Sequence, residues 1–232
     1  MKRLTAAILC LALLAGCRAP GVGDFWNTHS IDYSDIHAAE DQFADFAELA
    51  ASAPEEDALA ALDQLFDRLK QDTVAYYIYS EWMDGAFYNL LSPCRNAALY
   101  GKAVERIAGD GILDTNECGP YLQRREWIQY NLEGTKAVVP GWAGSDARTL
   151  VLVLDLGCPS CREALEKLSA DPQWSDVKKL AVGLGYGPEP AVPGWDYLFP
   201  EIGPAVFDIR MTPVYFVTAA DGTVERGYTL AL

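Results

Sequence analysis

Apolar positions change their spacing three times along this chain. Leu4 to Leu14 is a nearly continuous apolar stretch, too short to span a bilayer as a stable helix. Downstream, apolar residues recur three and four apart, the spacing of one helix face. Phe43, Phe46 and Leu49 form one such stripe, and Leu59, Leu62, Leu65, Phe66 and Leu69 form another behind Pro54-Glu55-Glu56, a proline and two acids suited to a first turn. Val74 to Leu91, Ala97 to Ala108 and Tyr121 to Leu132 complete an all-α region. Turn formers then cluster at Gly134 and Pro140 to Ser145. Beyond them Thr149 to Leu154 is a β-favouring run apolar on both faces, which reads as a buried central strand. Pro159 to Ser169 reads as a helix, Val177 to Leu184 as the next, parallel strand, and Val214 to Arg226 as a hairpin turning at Asp221-Gly222. These elements predict an α/β C-terminal domain preceded by an all-α helical domain, with boundaries at 24–134 and 135–232.

Composition sharpens that division. The chain has 232 residues, half of them hydrophobic, and a net charge of -15. Residues 24–134 carry 21 acidic and 7 basic side chains, whereas residues 135–232 carry 12 and 8. Such a field repels phosphate backbones, so nucleic acid is excluded as a natural partner. The apolar start follows Lys2 and Arg3 and ends in Leu14-Ala15-Gly16-Cys17. It reads as a signal peptide over 1–16, and its end resembles the lipobox of bacterial lipoproteins. That resemblance implies lipid attachment at Cys17, a tether over 17–23 and a membrane-anchored protein, expected at the outer membrane facing the periplasm. Each buried methylene of such a lipid adds about 0.8 kcal/mol of membrane affinity. Disulfides persist in that compartment.

With Cys10 in the leader and Cys17 lipidated, Cys94, Cys118, Cys158 and Cys161 remain. Cys158-Pro159-Ser160-Cys161 falls between the buried strand and its helix. A helix N-terminus presents unpaired amides and the positive end of the macrodipole, so Cys158 is expected as the attacking thiolate. Cys161, one turn later, would resolve the mixed disulfide. A zinc site needs four ligands, and neither a second CxxC nor a nearby His pair is present, so no metal or other cofactor is expected. A permanent structural disulfide and a redox-inert binding platform are the rival readings. The aromatic cluster Tyr76, Tyr77, Tyr79, Trp82, Phe87 and Tyr88 reads as bundle core in preference to a ligand groove.

Taken together, the strand, Cys158-Pro-Ser-Cys161 and Phe207-Asp-Ile-Arg-Met-Thr-Pro-Val-Tyr-Phe-Val217 resemble the thioredoxin fold, in particular the TlpA-like thiol–disulfide oxidoreductases. The resemblance implies a cis bond at Thr212-Pro213 opposite the cysteines, where, with Pro159, it would meet an extended substrate backbone. Partners would be extracytoplasmic protein thiols and disulfides and a redox partner. The first region resembles a domain of unknown function found ahead of thioredoxin-like domains in Bacteroidetes-type lipoproteins, through Phe25-Trp26-Asn27, Ser92-Pro93-Cys94-Arg95-Asn96 and Asn131-Leu-Glu-Gly134. Three departures stand out. Gly157 replaces the tryptophan before the first cysteine, Leu152 replaces a buried acid, and the hairpin is followed directly by Leu232, so the helix that usually covers one sheet face is missing or replaced by the first region. These keep open a non-catalytic thioredoxin-fold scaffold as the alternative function.

Cys94 and Cys118 flank the helix 97–108. The nine residues from Gly109 to Glu117 reach far enough, at about 3.3 Å each, to return Cys118 to Cys94. A structural disulfide between them is geometrically allowed.

Overall fold

A computed structural model describes residues 21–201 and 203–231. The expected leader 1–16, the lipid-acceptor Cys17 and the tether up to residue 20 lie outside them. Val22, assigned to the tether by its position, is instead buried in the helical core, within a 3-10 turn at Val22–Asp24.

The helical region contains α1 (Phe25–Thr28), α2 (Ile36–Ser52), α3 (Glu55–Leu69), α4 (Thr73–Met83), α5 (Ala97–Gly109) and α6 (Thr115–Ile128). Four of these starts are held by a side chain that accepts from the first free amides: Asp35, Asp72, Asn96 and Asp114. Of the expected aromatic cluster, Tyr76, Tyr79, Phe87 and Tyr88 are buried together with Phe46 and Phe66, while Tyr77 and Trp82 are half-buried at its edge. Each fully buried phenylalanine ring contributes roughly 1.5–3 kcal/mol by leaving water.

Two helices differ in extent from the sequence reading. The helix expected from Tyr121 begins at Thr115, because Asp114 and Glu117 form a capping box and Pro120 is accommodated inside. The helix expected to run to Leu91 ends at Met83 and passes into a π-helical turn, Asp84–Tyr88, where Asn89 N–H bonds Asp84 O at 3.2 Å.

Five strands follow: β1 (Thr149–Asp155), β2 (Lys178–Leu184), β3 (Asp196–Leu198), β4 (Val214–Thr218) and β5 (Val224–Leu230), with α7 (Pro159–Ala170) crossing between β1 and β2. The sheet order is β3-β2-β1-β4-β5. β1 runs parallel to β2, with Leu152 beside Ala181, and antiparallel to β4, with Leu152 beside Tyr215. β3 was not foreseen; it adds three residues parallel to β2.

β1 is buried on both faces. Leu150, Leu152 and Leu154 pack with Ala164, Leu165 and Trp174 on the α7 side. Val151 and Val153 pack on the other side with Val182, Phe207 and Phe216. That second face is covered in part by Leu90, Tyr130, Val139 and Trp142, so the helical region and the segment after it take the place of a covering helix.

The return from α6 turns at Asn131, which adopts φ 55° and is 1% exposed. Its side chain accepts from Val138 N at 2.7 Å and donates to Tyr228 Oη at 2.7 Å. Asn131→Ala loses both bonds, leaves a buried amide unpaired and places a Cβ residue without a polar side chain in the left-handed region. It should therefore cost about 2–4 kcal/mol, read as a lower urea midpoint at unchanged slope.

Candidate active site at the Cys158–Cys161 turn

The site is a corner built on Asp155, the last residue of β1. The main chain of Asp155 accepts from Cys158 N at 3.1 Å, and its carboxylate accepts from Gly157 N at 2.9 Å. One residue on, Leu156 N donates to Leu184 O at 2.9 Å, tying the corner to the end of β2. Cys158 then caps α7 in extended conformation, φ -95° and ψ 120°, and Pro159 opens the helix at a position that needs no amide donor. Cys158 is partly exposed and Pro159 exposed.

Cys161, one turn into α7, is 1% exposed. Its sulfur accepts from Asp155 N at 3.3 Å and lies beside Cys158 and Thr212. Burial pushes its thiol up to about 11, against the opposing pull of the Asp155 amide and the Thr212 hydroxyl. The Asp155 carboxylate is engaged with the Gly157 amide, and Leu152, fully buried, stands at the position of a proton-handling acid. The hydrogen bond that polarises the Cys161 sulfur thus comes from a main-chain amide.

Thr212 follows a 3-10 turn, Ile209–Met211. Its hydroxyl donates to Ile209 O at 2.7 Å, and the Thr212-Pro213 bond is cis. Thr212 is half-buried and Pro213 buried, so the threonine is the part of this turn open to solvent. The chain thus brings together Cys158, Cys161 and Thr212-Pro213, which are separated by some fifty residues in sequence.

The loop after β2 also builds the site, and the sequence reading passed over it. A Cβ at Gly187 would lie 2.2 Å from Leu156 O, and one at Gly185 would lie 2.9 Å from the Asp155 carboxylate. The loop therefore presses backbone against backbone directly ahead of Cys158, and Pro188, Pro190 and Arg162 line a crevice beside the sulfur. Glycines at alternate positions 183, 185 and 187 were the available signal.

Cys94 and Cys118 do not join one another. Both are free and buried. The Cys118 sulfur donates toward Ile107 O at 3.5 Å, near the end of α5, while Cys94 precedes the cap at the other end of that helix, at Asn96. The 13-residue helix holds them apart by roughly 20 Å, and the 110–114 turn runs directly into α6 without returning along α5. Among the described residues no group of His, Cys, Asp and Glu is arranged to hold a metal ion.

A thioredoxin-like protein from Bacteroides caccae ATCC 43185, whose crystal structure is known at 1.90 Å resolution, superposes on this chain with a TM-score of 0.69 at 19% identity, covering 90% of this chain and 87% of that one. The fold is thioredoxin-like, with a helical region ahead of it. No protein-family model matches the sequence, and no curated protein matches it.

Because the Cys161 thiol is held neutral up to about pH 11, its alkylation in the reduced protein should rise about tenfold per pH unit between pH 8 and 10. Peptide mapping of iodoacetamide-labelled protein reads this, and a plateau below pH 9 would contradict the assignment.

Proposed function

We propose that this protein is a thiol–disulfide oxidoreductase acting on extracytoplasmic protein clients. The observation that carries the reading is the pairing of a partly exposed Cys158 at the start of α7 with a buried Cys161 behind it, which lies beside Thr212.

The Cys158 thiolate attacks one sulfur of a client disulfide, forming a mixed disulfide and releasing the other client sulfur as a thiolate, which takes a proton from water. Cys161 gives its proton to water and attacks the Cys158 sulfur. The second client sulfur leaves, the client is reduced by two electrons, and Cys158–Cys161 becomes a disulfide. A dithiol redox partner restores the reduced pair. Run backwards, the same steps oxidise a client dithiol.

Lipid attachment at Cys17 would hold this chemistry at the outer membrane, facing the periplasm. The Leu14-Ala15-Gly16-Cys17 run supports the lipid attachment. Cys17→Ala should then lose metabolically incorporated fatty acid and move from the membrane to the soluble fraction; retained label would refute the anchor.

One observation favours the scaffold reading instead: Leu152 leaves no buried acid beside the cysteines. The two readings separate with 5,5′-dithiobis(2-nitrobenzoate). An oxidoreductase releases one thionitrobenzoate as Cys158 attacks and a second as Cys161 resolves. Cys161→Ser should stop after the first with the adduct intact, and Cys158→Ser should lack the fast phase. Two slow, independent releases, each lost only with its own cysteine and leaving the other unchanged, would leave the scaffold.

A further inference from the structure

The helical region reaches the active-site turn through one buried carboxylate. Asp208 caps the Ile209–Met211 turn, accepting from Arg210 N at 3.0 Å, while its carbonyl accepts from Met211 N at 3.0 Å. The same carboxylate accepts from the Tyr88 hydroxyl at 2.9 Å and from the Arg210 guanidinium at 2.9 and 2.6 Å. Tyr88 belongs to the π-helical turn of the helical region, and 120 residues separate it from Asp208. It is itself fixed: its ring packs on Tyr100 with centroids 5.1 Å apart, and its carbonyl accepts from Arg95 Nε at 3.2 Å. A second grip comes from α6, where Trp127 lies under the Arg210 guanidinium at 5.8 Å. Met211, between Asp208 and Thr212, packs against both the helical core and the second sheet face.

The electrostatics suit a lasting bond. Burial pushes the Asp208 carboxyl up, but hydrogen bonds from Arg210 and Tyr88 outweigh it and keep the group below its ordinary range. Burial and the Asp208 charge raise the Tyr88 hydroxyl, which therefore remains a donor. A buried carboxylate adds little net stability over apolar packing of the same volume. What it adds is direction, and it adds it in the four residues that lead into Thr212. The Thr212 hydroxyl donates to Ile209 O at 2.7 Å and its side chain lies beside the Cys161 sulfur, so a slight shift of the turn moves the threonine relative to that sulfur.

We propose that Tyr88 and Trp127 are positioning residues, and that the helical region clamps the Asp208–Pro213 turn so that Thr212 meets Cys161 during resolution of the mixed disulfide. This rests on the oxidoreductase reading.

The test uses the two-phase thionitrobenzoate release. Tyr88→Phe keeps the ring and its packing and removes only the bond to Asp208. Trp127→Leu removes the other grip, at a half-exposed position. Each should slow the second release about three- to tenfold, the worth of one hydrogen bond for Tyr88 and of one cation–π contact for Trp127, while the first stays within roughly twofold. Urea midpoints identify the variants that remain folded. Two fast releases in the unsubstituted chain with an unchanged second release in both variants would overturn the clamp alone, as would an equal slowing of both releases. An unsubstituted chain with no fast first release would overturn the oxidoreductase reading and the clamp with it.

Discussion

The double burial of β1 is the constraint on which the other parts depend. A strand with apolar partners on both faces and neighbours on both edges has no freedom to slide, since a shift of one residue would exchange Leu152 for Val153 and turn each toward the wrong core. Its C-terminal end is therefore a fixed point. Asp155 converts that fixed point into a corner, using its carboxylate for one amide, its carbonyl for a second and its own N–H for a sulfur. The positions of Cys158 and Cys161 follow from that corner and the first turn of α7.

The two regions of the chain share one interior boundary. The second face of the sheet is closed by side chains that follow the π-helical turn and α6, Leu90 and Tyr130, and by the segment beyond them. Polar contacts are spent where direction matters, at Asn131 for the chain reversal and at Asp208 for the cis-proline turn. A thioredoxin-like unit cut out at residue 135 would expose an apolar sheet face and leave the Asp208 carboxylate with Arg210 alone.

Legibility in the sequence followed the range of the interactions. Period-two and period-3.6 patterns are local, so β1, α3, α5 and α7 stood out, and the cysteine pair and Thr212-Pro213 were visible because each is a short motif beside such an element. The start of α6 was hidden because Gly119-Pro120 reads as a break, while the capping box that overrides it lies one turn earlier. β3 has only three residues in a segment rich in proline and glycine, and its pairing with β2 leaves no period to detect. The Tyr88–Asp208 contact joins side chains far apart in the chain and has no local signature. Cys94 and Cys118 misled because loop length bounds how far a chain can reach, without saying which way it goes.

The segment after α6 has one more effect. Gly134 to Ala137 lies along the hairpin, exchanging bonds of 2.8–2.9 Å with Gly222 and Val224, and Lys136 ties down Asp221 at 3.0 Å. At the opposite margin the sheet offers only the three residues of β3. A foreign strand would thus meet a turn end already paired at one border and only three residues of backbone at the other.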